Sequence, residues 1–425
     1  MVKNICVVGL GYIGLPTAVV LADSGYNVHG VDINENAIET INKGEAHIFE
    51  PNLNKKVNEA VERGLLTAST IPAKADVFIL SVPTPFKENH KADLSYVENA
   101  TKSIATYIEP GNIIILESTS PVGTTEKVVE WIEQERPDLN FDGQSSQQVY
   151  VAHCPERVLP GKILEELISN DRIVGGINDI STEKTAYFYS SFVNGEILKT
   201  NARTAELSKL TENSFRDVNI AFANELSIIA DKLDIDVWEL IELANHHPRV
   251  NILQPGPGVG GHCIAVDPWF IIDSAPEESR LIHTARMVNE LKPNYVIEKV
   301  TEKVNNKPNS TIACLGLSFK ANIDDLRESP AVDVVKGLAT KFKDTVYVVE
   351  PYINELPVNL RDYNIQLCNT VEAINKADIV VLLVDHDYFK EIDGDILKDK
   401  FVIDTKGVLN KVVGQKQGPI GELIT

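Results

Sequence analysis

The sequence predicts an α/β protein in which two doubly wound domains are joined by a long central helix and a helical middle domain. Two observations support this prediction. Short apolar runs alternate with helical stretches near both ends of the chain, and residues 205–233 between them keep helical apolar spacing without Gly or Pro. Alternation of this kind is typical of Rossmann-like domains with parallel sheets. The corresponding domain boundaries are residues 1–200, 201–300 and 301–425.

The first domain is predicted from a strand–turn–helix rhythm that starts at the N-terminus. A strand over residues 5–8 is followed by a glycine turn and by a helix over residues 17–24. Further short apolar runs, rich in β-branched residues, predict the remaining strands of one sheet. These runs cover residues 27–32, 77–82, 113–118, 149–153 and 172–174.

The middle of the chain is predicted to be helical. Residues 205–233 form one long helix in this interpretation, and residues 237–245 and 279–291 continue the pattern. Pro293 and the polar stretch 305–310 are expected to mark the approach to the third domain, because proline and short polar residues interrupt helices.

The third domain repeats the order of the first. Its predicted strands cover residues 311–317, 345–350, 378–384 and 401–404. This domain lacks the triple-glycine turn of the first domain. We therefore do not expect it to bind a dinucleotide in the same way.

The composition excludes several classes of protein. The 425 residues are 43% hydrophobic and 24% charged, as in ordinary globular proteins, and no apolar run approaches the length of a membrane span. The formal net charge of −21 disfavours nucleic acid, because nucleic-acid binding depends on Lys and Arg meeting phosphates. We therefore expect neither a membrane nor a nucleic-acid partner.

The N-terminus and the cysteines bear on the cellular compartment. The chain enters a strand within its first residues without a signal-peptide layout, so export is not expected. The five cysteines are an odd number, and their spacing does not match a metal site. Free thiols in a reducing cytoplasm fit this pattern better than disulfides or zinc.

A dinucleotide site is predicted at the first glycine turn. Gly9, Gly11 and Gly14 follow a strand and open a helix, an arrangement that lets a pyrophosphate approach the backbone. Asp32 ends the next strand, where a carboxylate binds both ribose hydroxyls and repels the extra phosphate of NADP. The sequence therefore favours NAD, and the alternative is a tight turn in an α/β domain that binds nothing.

The segment before Cys263 suggests a reactive thiol. Four glycines within residues 256–261 allow left-handed backbone and a close approach to another group. Asp267, four residues later, is placed to steer a proton or a water beside the sulfur. The pattern alone leaves two alternatives open, a catalytic thiol and a buried cysteine in a glycine-rich bend.

Other candidate residues have equally plain alternatives. Lys209 and Asn213 share a face of the long helix, but with Glu206, Arg216 and Asp217 they also fit a solvated charged stripe. Outside that helix, Glu156 is a candidate but also fits an ordinary loop acid, and Thr119 is a candidate but also fits a helix cap. Lys320 and Arg327 are candidates for contacts with phosphate or ribose. They also fit cations that neutralise Asp324, Asp325 and Glu328.

Taken together, these segments resemble the UDP-glucose/GDP-mannose dehydrogenase family over essentially the whole length of the chain. The combination of motifs, in this order, is highly specific. The motifs are Gly9-Leu-Gly11-Tyr-Ile-Gly14, Ser81-Val-Pro83-Thr-Pro85, Glu117-Ser-Thr119, Pro155-Glu156, Glu206-Leu-Ser-Lys209-Leu-Thr-Glu-Asn213, Gly260-Gly-His-Cys263 with Asp267, and Phe319-Lys320 through Arg327-Glu328-Ser329.

Within the family, three stretches look most like the branch that oxidises UDP-N-acetyl-D-mannosamine. They are residues 155–161, 212–225 and 247–269. Family members that act on UDP-glucose usually carry a Pro-Glu-Phe-Leu type of loop, where this chain has Pro-Glu-Arg-Val. This difference disfavours UDP-glucose as the substrate.

The resemblance implies a twofold oxidation of the sugar C6 alcohol to a carboxylate, with two NAD molecules and no metal, in the supply of polysaccharide or glycan precursors. Cys263 would hold the aldehyde as a thiohemiacetal and then as a thioester. Lys209 and Asn213 would stabilise the oxyanion, and Asp267 with Lys209 would manage protons and a bound water. The positions that the family links to thioester hydrolysis are Glu156 and Thr119.

The resemblance also implies the binding residues and the assembly. The third domain would bind the UDP part, and Arg249 would reach the substrate of a neighbouring subunit in a homodimer or higher homo-oligomer formed through the long helix. The expected NAD contacts are Gly9, Gly11, Tyr12, Ile13, Gly14, Asp32, Pro83, Thr84, Thr119 and Arg327. The expected substrate contacts are Arg157, Lys209, Asn213, Arg249, Gly260 and Lys320.

Two alternatives to this function stay open. The first is another sugar, UDP-N-acetylglucosamine or UDP-glucose. The second is a different class of protein, a non-catalytic NAD-binding redox sensor. A sensor would not need Lys209, Asn213, Glu156 and Asp267 alongside the cysteine.

Overall fold

The computed structural model describes residues 2–87, 90–145, 147–261, 263–343 and 345–409, together with the backbone of strands 417–418 and 422–423. The chain divides into two compact units. The first unit is Met1–Glu212 with Trp269–Ala275, and the second unit is Asn213–Pro268 with Pro276–Thr425. The division into residues 1–200, 201–300 and 301–425 stays a prediction.

The first unit is built on an eight-stranded sheet in the order β3-β2-β1-β4-β5-β6-β7-β8. All neighbours are parallel except β6 and β7, and the first six strands follow the Rossmann order. Alternate residues of β1 enter the cores on opposite faces of the sheet, as in a strand covered on both sides. The strands are β1 Asn4–Val8, β2 Asn27–Val31, β3 Leu66–Ser69, β4 Val77–Leu80, β5 Ile113–Leu116, β6 Tyr150–His153, β7 Arg172–Gly176 and β8 Ile197–Asn201.

Seven helices connect these strands and cover the sheet among the described residues. The first helix begins earlier than the sequence predicted, because Gly14 itself starts the helix. The helices are α1 Gly14–Asp23, α2 Glu35–Asn42, α3 Leu53–Glu62, α4 Ser95–Ile104, α5 Thr124–Glu135, α6 Ile163–Ser169 and α7 Asp179–Tyr189.

Four helices form the middle of the chain: α8 Ala202–Lys232, α9 Val237–Asn245, α10 Asp267–Ser274 and α11 Arg280–Asn306. The prediction of one long helix near residues 205–233 is confirmed by α8. The prediction of a helix end near Pro293 is wrong, because α11 continues for more than three turns beyond it. Val296, Ile297, Val300 and Val304 drive this continuation, since they form an apolar face in the core of the second unit. Among the described residues, no helix combines the length and the apolarity needed to cross a membrane.

The second unit contains a seven-stranded sheet in the order β11-β10-β9-β12-β13-β15-β14. Its first five strands are parallel and repeat the order of the first sheet, which confirms the prediction of two Rossmann-like domains. The strands are β9 Ile312–Leu315, β10 Val346–Val349, β11 Ile365–Leu367, β12 Ile379–Leu382, β13 Phe401–Asp404, β14 Gln417–Gly418 and β15 Glu422–Leu423; the helices are α12 Pro330–Lys341, α13 Val358–Arg361 and α14 Thr370–Lys376.

Candidate active site

The glycine turn between β1 and α1 is required by close packing. Gly9 has a φ of 91°, a left-handed value that favours glycine. A Cβ at Gly14 would lie 1.7 Å from the carbonyl oxygen of Gly9, so a side chain there is excluded. A Cβ at Gly11 would meet no described residue within 4 Å beyond its chain neighbours, so this glycine faces open space. The turn therefore has the open cradle that a pyrophosphate needs.

The residues around this turn suit an anionic ligand. Ile13 is the N-cap residue of α1, and its side chain has no hydrogen-bonding atom to offer the first backbone N–H groups of the helix. Tyr12 is half-exposed beside it. Pro83 and Thr84 follow β4 at the carboxyl edge of the same sheet, where α/β folds bind ligands.

Asp32 follows β2, and its carboxylate contacts the glycine turn. Its Oδ2 accepts a hydrogen bond from the N–H of Leu10 at 2.8 Å, and its Oδ1 accepts one from the N–H of Asn34 at 2.9 Å. Each carboxylate oxygen accepts more than one hydrogen bond, so these contacts orient the group and leave capacity for ribose hydroxyls. The residues present therefore fit NAD, and the negative charge opposes the extra phosphate of NADP.

The loop after β5, which carries Thr119, is held by hydrogen bonds from Thr84 and to Glu206. Thr84 donates its hydroxyl to the carbonyl oxygen of Thr119. Glu206 of α8 accepts hydrogen bonds from the backbone N–H groups of Gly123 and Thr125, each at 2.7 Å. Glu206 is fully buried, so the solvated charged stripe is wrong for this residue. Instead, its carboxylate caps the start of α5.

Glu156 lies in the loop after β6 and is a buried acid. Its side chain is 7% exposed, which contradicts the alternative of an ordinary loop acid. Its Oε2 accepts from Nη1 of Arg172 and its Oε1 accepts from the backbone N–H of Arg157, both at 2.6 Å. The Arg157 side chain forms an ion pair with Glu212 of α8 at 2.7 Å. A contact of Arg157 with substrate stays a prediction.

The glycines before Cys263 are needed for packing within the second unit. A Cβ at Gly260 would lie 2.3 Å from the carbonyl oxygen of Glu328, and one at Gly261 would lie 2.8 Å from the ring of Phe319. Protein fills the space that a Cβ would take at these two glycines, and a contact of Gly260 with substrate stays a prediction. They let the loop lie directly against the segment that follows β9.

Cys263 is exposed at the entrance to α10, which contradicts the buried-cysteine alternative. Its carbonyl oxygen accepts a hydrogen bond from the N–H of Asp267 at 2.9 Å. Asp267 is buried and accepts from Nδ2 of Asn213 at 2.5 Å. In the second unit, Cys263 thus lies one backbone turn before Asp267, whose carboxylate is held by the Asn213 amide, and these are the residue types of a nucleophilic site.

Lys209 lies one turn before Asn213 on α8 and is half-buried. Side chains four residues apart on a helix share a face, so Lys209 and Asn213 point the same way. The solvated stripe is also wrong for Asp217 on this helix, because Asp217 is buried and forms an ion pair with Arg286 at 2.7 Å.

A polar ladder of buried side chains links α8 and α11 to the glycine-rich loop. Asn224 of α8 donates Nδ2 to Oδ1 of Asn289 on α11 at 2.9 Å, and its own Oδ1 accepts from the N–H of Gly256 at 2.8 Å. Asn289 and Arg286 donate to the Asp217 carboxylate at 2.8 and 2.7 Å. The ladder therefore anchors the first glycine of the loop that leads to the thiol.

The remaining candidates are exposed. Lys320 follows β9, and Arg249 follows α9, both on the surface of the second unit. Arg327 pairs with Asp325 at 2.6 Å, as the alternative of a neutralising cation predicted. The expected contacts of these three basic residues with substrate or NAD stay predictions.

Sequence reasoning missed the partners that hold the candidate residues. Arg172, Tyr189 and Asn289 are buried polar residues that contact the site or its supports, and none of them was singled out as functional. Arg172 offered one signal, because an arginine that opens a buried apolar strand needs a partner. The identity of that partner was not visible in the sequence.

Three family models match consecutive parts of this chain. The NAD binding domain of the UDP-glucose/GDP-mannose dehydrogenase family matches residues 3–193, the central domain matches residues 203–291, and the UDP binding domain matches residues 313–411. An NDP-N-acetyl-D-galactosaminuronic acid dehydrogenase from Ralstonia nicotianae is 56% identical over 408 residues, which are 96% of each chain. A UDP-N-acetyl-D-mannosamine dehydrogenase from Escherichia coli K12 is 54% identical over 95% of this chain and 99% of the relative.

Solved structures are also similar to this chain over nearly its whole length. A UDP-D-ManNAc dehydrogenase from Pyrococcus horikoshii has a TM-score of 0.87 and 39% identity, with 96% of each chain covered. A UDP-N-acetyl-mannosamine dehydrogenase from Staphylococcus aureus has a TM-score of 0.83 and 42% identity, over 96% of this chain and 95% of that one. The fold is therefore shared with these enzymes over nearly the whole chain.

Proposed function

Because the chain belongs to the UDP-glucose/GDP-mannose dehydrogenase family, we propose that it oxidises UDP-N-acetyl-D-mannosamine twice at C6, with NAD, to UDP-N-acetyl-D-mannosaminuronate. The net reaction consumes one water and two NAD and releases two NADH and three protons. The product is a charged sugar nucleotide, which suits the supply of precursors for a polysaccharide or another glycan.

The observation that carries this proposal is the grouping of Cys263, Asp267 and Asn213 at the start of α10. Going from an aldehyde to an acid by hydride transfer requires a tetrahedral carbon that still bears hydrogen. A thiolate that adds to the aldehyde makes such a carbon and holds it in place. An exposed thiol beside a fixed amide and carboxylate is suited to this task.

We assign the following parts to these residues. The chemistry that bound NAD supplies is hydride acceptance, first from the alcohol and then from the thiohemiacetal on Cys263. Asn213 donates one amide N–H to Asp267, and its second N–H is then oriented for an oxygen that gains negative charge. Lys209, one turn earlier on α8, adds a cation on the same helix face. Asp267 and Lys209 also manage the protons released in the oxidations.

The last step is hydrolysis of the thioester. A water oxygen forms a C–O bond to the thioester carbon, the C–S bond breaks, and the sulfur leaves as a thiolate that takes up a proton. Glu156 is assigned as the base for this water, and Thr119 as a member of the same hydrogen-bonded network. The support for both assignments is the family resemblance together with the firmly held backbone around each residue.

The UDP part of the substrate is assigned to residues 301–425, which contain the match to a UDP binding domain. Lys320, after β9, is proposed to face the substrate together with Arg157 and Gly260. Arg327 is proposed to face NAD. Arg249 is proposed to reach the substrate of a neighbouring subunit.

UDP-N-acetyl-D-galactosamine is a competing candidate substrate, because the relative from Ralstonia nicotianae is named for N-acetyl-D-galactosaminuronic acid. That relative is 56% identical to this chain, and the Escherichia coli relative named for N-acetyl-D-mannosamine is 54% identical. The two sugars differ at C2 and C4, whereas the roles proposed for the residues of this chain involve C6 and the UDP part. UDP-N-acetyl-D-galactosamine, which differs from the proposed substrate at both C2 and C4, is therefore the specific alternative.

A panel of UDP-sugars tests the proposal. UDP-N-acetylmannosamine, UDP-N-acetylgalactosamine, UDP-N-acetylglucosamine and UDP-glucose are each incubated with enzyme and NAD, and NADH absorbance and the acid product are measured. We expect two NADH per sugar and the highest kcat/KM with UDP-N-acetylmannosamine. Equal kcat/KM with UDP-glucose would refute the substrate assignment, and no turnover with any sugar would favour a redox sensor.

We also propose a homodimer formed through α8. Phe215, Phe222 and Ile229 are 68%, 51% and 47% exposed and lie seven residues apart, so they form one apolar stripe along the helix. Phe222→Glu is expected to halve the mass measured by light scattering, whereas Leu243→Glu, at an exposed leucine of α9, is expected to leave it unchanged.

We also propose that the protein acts in the cytoplasm, because a thiol nucleophile suits a reducing compartment.

A further inference from the structure

A buried cluster of polar groups surrounds Glu156 in the first unit. It contains Glu117 at the end of β5, Tyr189 at the end of α7 and Arg172 at the start of β7, each no more than 3% exposed. The chemistry assigned above uses Glu156 and none of the other three. Burying two acids and one arginine is costly, so their arrangement calls for an explanation.

The guanidinium of Arg172 is committed to Glu156. Nη1 donates to Glu156 Oε2 at 2.6 Å, and Nη2 donates to the carbonyl oxygen of Leu167 at 3.0 Å. The other oxygen of Glu156 accepts from the backbone N–H of Arg157 at 2.6 Å. Hydrogen bonds from a cation and from a backbone N–H both stabilise the ionised form of a carboxyl group.

Glu117 accepts hydrogen bonds from neutral hydroxyls instead. Ser81 Oγ donates to one of its oxygens at 2.9 Å, and Tyr189 donates to the other at 2.7 Å. Burial raises the pKa of Glu117 to about 6, with a further rise from the charge of Glu156, and Arg172 and the two hydroxyls offset this only in part. The two acids of the cluster therefore differ in the groups that hold them.

The other titratable groups near Glu156 stay neutral through the acid and neutral range. Burial raises the pKa of Cys154, at the end of β6, to about 12, and it raises the pKa of Tyr189 well above its usual value. Arg157, next to Glu156 in the chain, has its own partner in Glu212. The charge state of the cluster is therefore decided by Glu156, Glu117 and Arg172.

We propose that Arg172 is the positioning residue for Glu156: it holds Glu156 as a carboxylate and leaves Glu117 to take the proton that the cluster binds. This inference rests on the proposed function, in which Glu156 is the base of thioester hydrolysis. As the C–O bond forms, the attacking water gives its proton to Glu156; when the C–S bond breaks, the sulfur takes up a proton and Glu156 returns its own to solvent. The new carboxylic acid then releases its own proton to solvent. A Glu156 that is already protonated cannot accept the proton from water, so the ion pair keeps hydrolysis active near neutral pH.

The test replaces the cation and follows the thioester. In Arg172→Met, Glu156 and Glu117 lose the guanidinium, so Glu156 is no longer held as a carboxylate by a cation. We expect thioester hydrolysis to slow by about 100-fold, the size of a general-base effect, and to recover as the pH rises. The thioester on Cys263 should accumulate in the intact mass spectrum, while the early release of two NADH per enzyme, which precedes hydrolysis, continues. That early NADH shows that the variant is folded.

Three further variants separate charge placement from a structural role. Arg172→Lys keeps the charge, so its hydrolysis rate should follow the wild-type pH profile with a loss of about tenfold or less. Arg172→Met with Glu117→Gln should recover part of the lost rate, because the competing acid is gone. Arg136→Met is the matched control, since Arg136 also links an acid, Asp138, to backbone carbonyls in the first unit. It should not accumulate thioester.

Infrared titration tests the charge assignment without any substrate. The C=O band of a buried carboxylic acid should disappear as the pH rises through about 6, and this transition should be absent in Glu117→Gln and present in Glu156→Gln. If the transition is lost in Glu156→Gln instead, or if Arg172→Met hydrolyses the thioester at the wild-type rate, the proposal is wrong. Failure of the proposed function looks different, because wild-type enzyme would then oxidise no UDP-sugar while the infrared result stands.

Discussion

Replacing Asn289 by alanine tests whether the polar ladder between α8 and α11 holds the loop that leads to the thiol. Asn289 makes three buried hydrogen bonds: it donates to the carbonyl and carboxylate oxygens of Asp217 at 3.1 and 2.8 Å, and it accepts from Asn224 at 2.9 Å. Asn224 in turn accepts the N–H of Gly256. The substitution removes these three buried bonds while the Asp217 carboxylate keeps Arg286, which costs about 1 kcal/mol per bond, or roughly 3 kcal/mol in total.

The expected result is a local opening of the loop. About 3 kcal/mol corresponds to a change of roughly 100-fold in the opening equilibrium, since 1.4 kcal/mol is a factor of ten. Hydrogen exchange by mass spectrometry measures this change at Gly256. Its neighbours Pro255 and Pro257 carry no backbone N–H, so deuterium uptake across this short stretch reports mainly on that glycine.

A matched substitution on the same helix controls for helix propensity. Asn294 is also on α11 but is exposed, so Asn294→Ala makes the same chemical change without removing the buried bonds. We expect Asn289→Ala to exchange Gly256 about 100-fold faster than Asn294→Ala and to lower kcat more than it raises KM, because the loop carries the nucleophile. Equal exchange at Gly256 in the two variants would refute the reasoning.

The remaining predictions concern the thiol, the cofactor and one buried acid. Cys263→Ser should reduce acid formation by about 1,000-fold or more in the NADH assay, and turnover near the wild-type rate would contradict covalent catalysis. Asp32→Ala should lower the ratio of kcat/KM with NAD to that with NADP, and an unchanged ratio would argue against the ribose contact. Gly11→Ala should leave the melting temperature unchanged but weaken NAD binding, because its Cβ points into open space, whereas Gly14→Ala should lower the melting temperature through a backbone clash; equal melting temperatures would contradict this. Burial raises the pKa of Glu117 from 4.5 to about 6, so the folded state binds this proton more tightly than the unfolded state and stability falls as pH rises through that window. Glu117→Gln should therefore have the same free energy of unfolding as wild type in acid, and should be more stable by ~2 kcal/mol above the window. Equal stability of variant and wild type at both pH values would contradict the shift.

The fold was predictable where one local pattern dominates. The strand at Asn27–Val31 and the helix Ala202–Lys232 differ from their predicted bounds by only a few residues, because apolar periodicity and the absence of Gly and Pro are local properties. The helix end predicted near Pro293 failed for a tertiary reason. The apolar face after that proline is buried in the second unit, and this burial outweighs one lost backbone hydrogen bond.

The candidate site was predictable in its reactive groups but not in their supports. Cys263, Asp267 and Asn213 stand out by residue type and spacing, and the structure brings the three together. The partnership of Glu156 with Arg172 was not predictable, because the two residues lie on different elements. Which charges meet across a sheet depends on strand order and register, and a single sequence specifies these only through the whole fold.

The two Rossmann-like sheets show how one topology is adapted to different nucleotides. Gly9 and Gly316 have φ values of 91° and 96°, and each is followed by an N–H that donates to the acid ending the second strand of its sheet, Asp32 or Glu350. In the first sheet the helix begins five residues after the glycine. In the second sheet α12 begins fourteen residues after it, with proline in its first turn.

The acid itself differs most between the two sheets. Asp32 accepts only backbone N–H groups among the hydrogen bonds of the described residues, so its carboxylate keeps capacity for a ribose. Glu350 is buried against His386, whose ring nitrogen lies 3.2 Å from the Glu350 carboxylate. Burial alone would raise the pKa of Glu350, but hydrogen bonds from His386 and the backbone lower it, so the carboxylate is stabilised by internal partners. A ribose would have to displace that histidine, so Glu350 is not available to ribose hydroxyls in the way that Asp32 is.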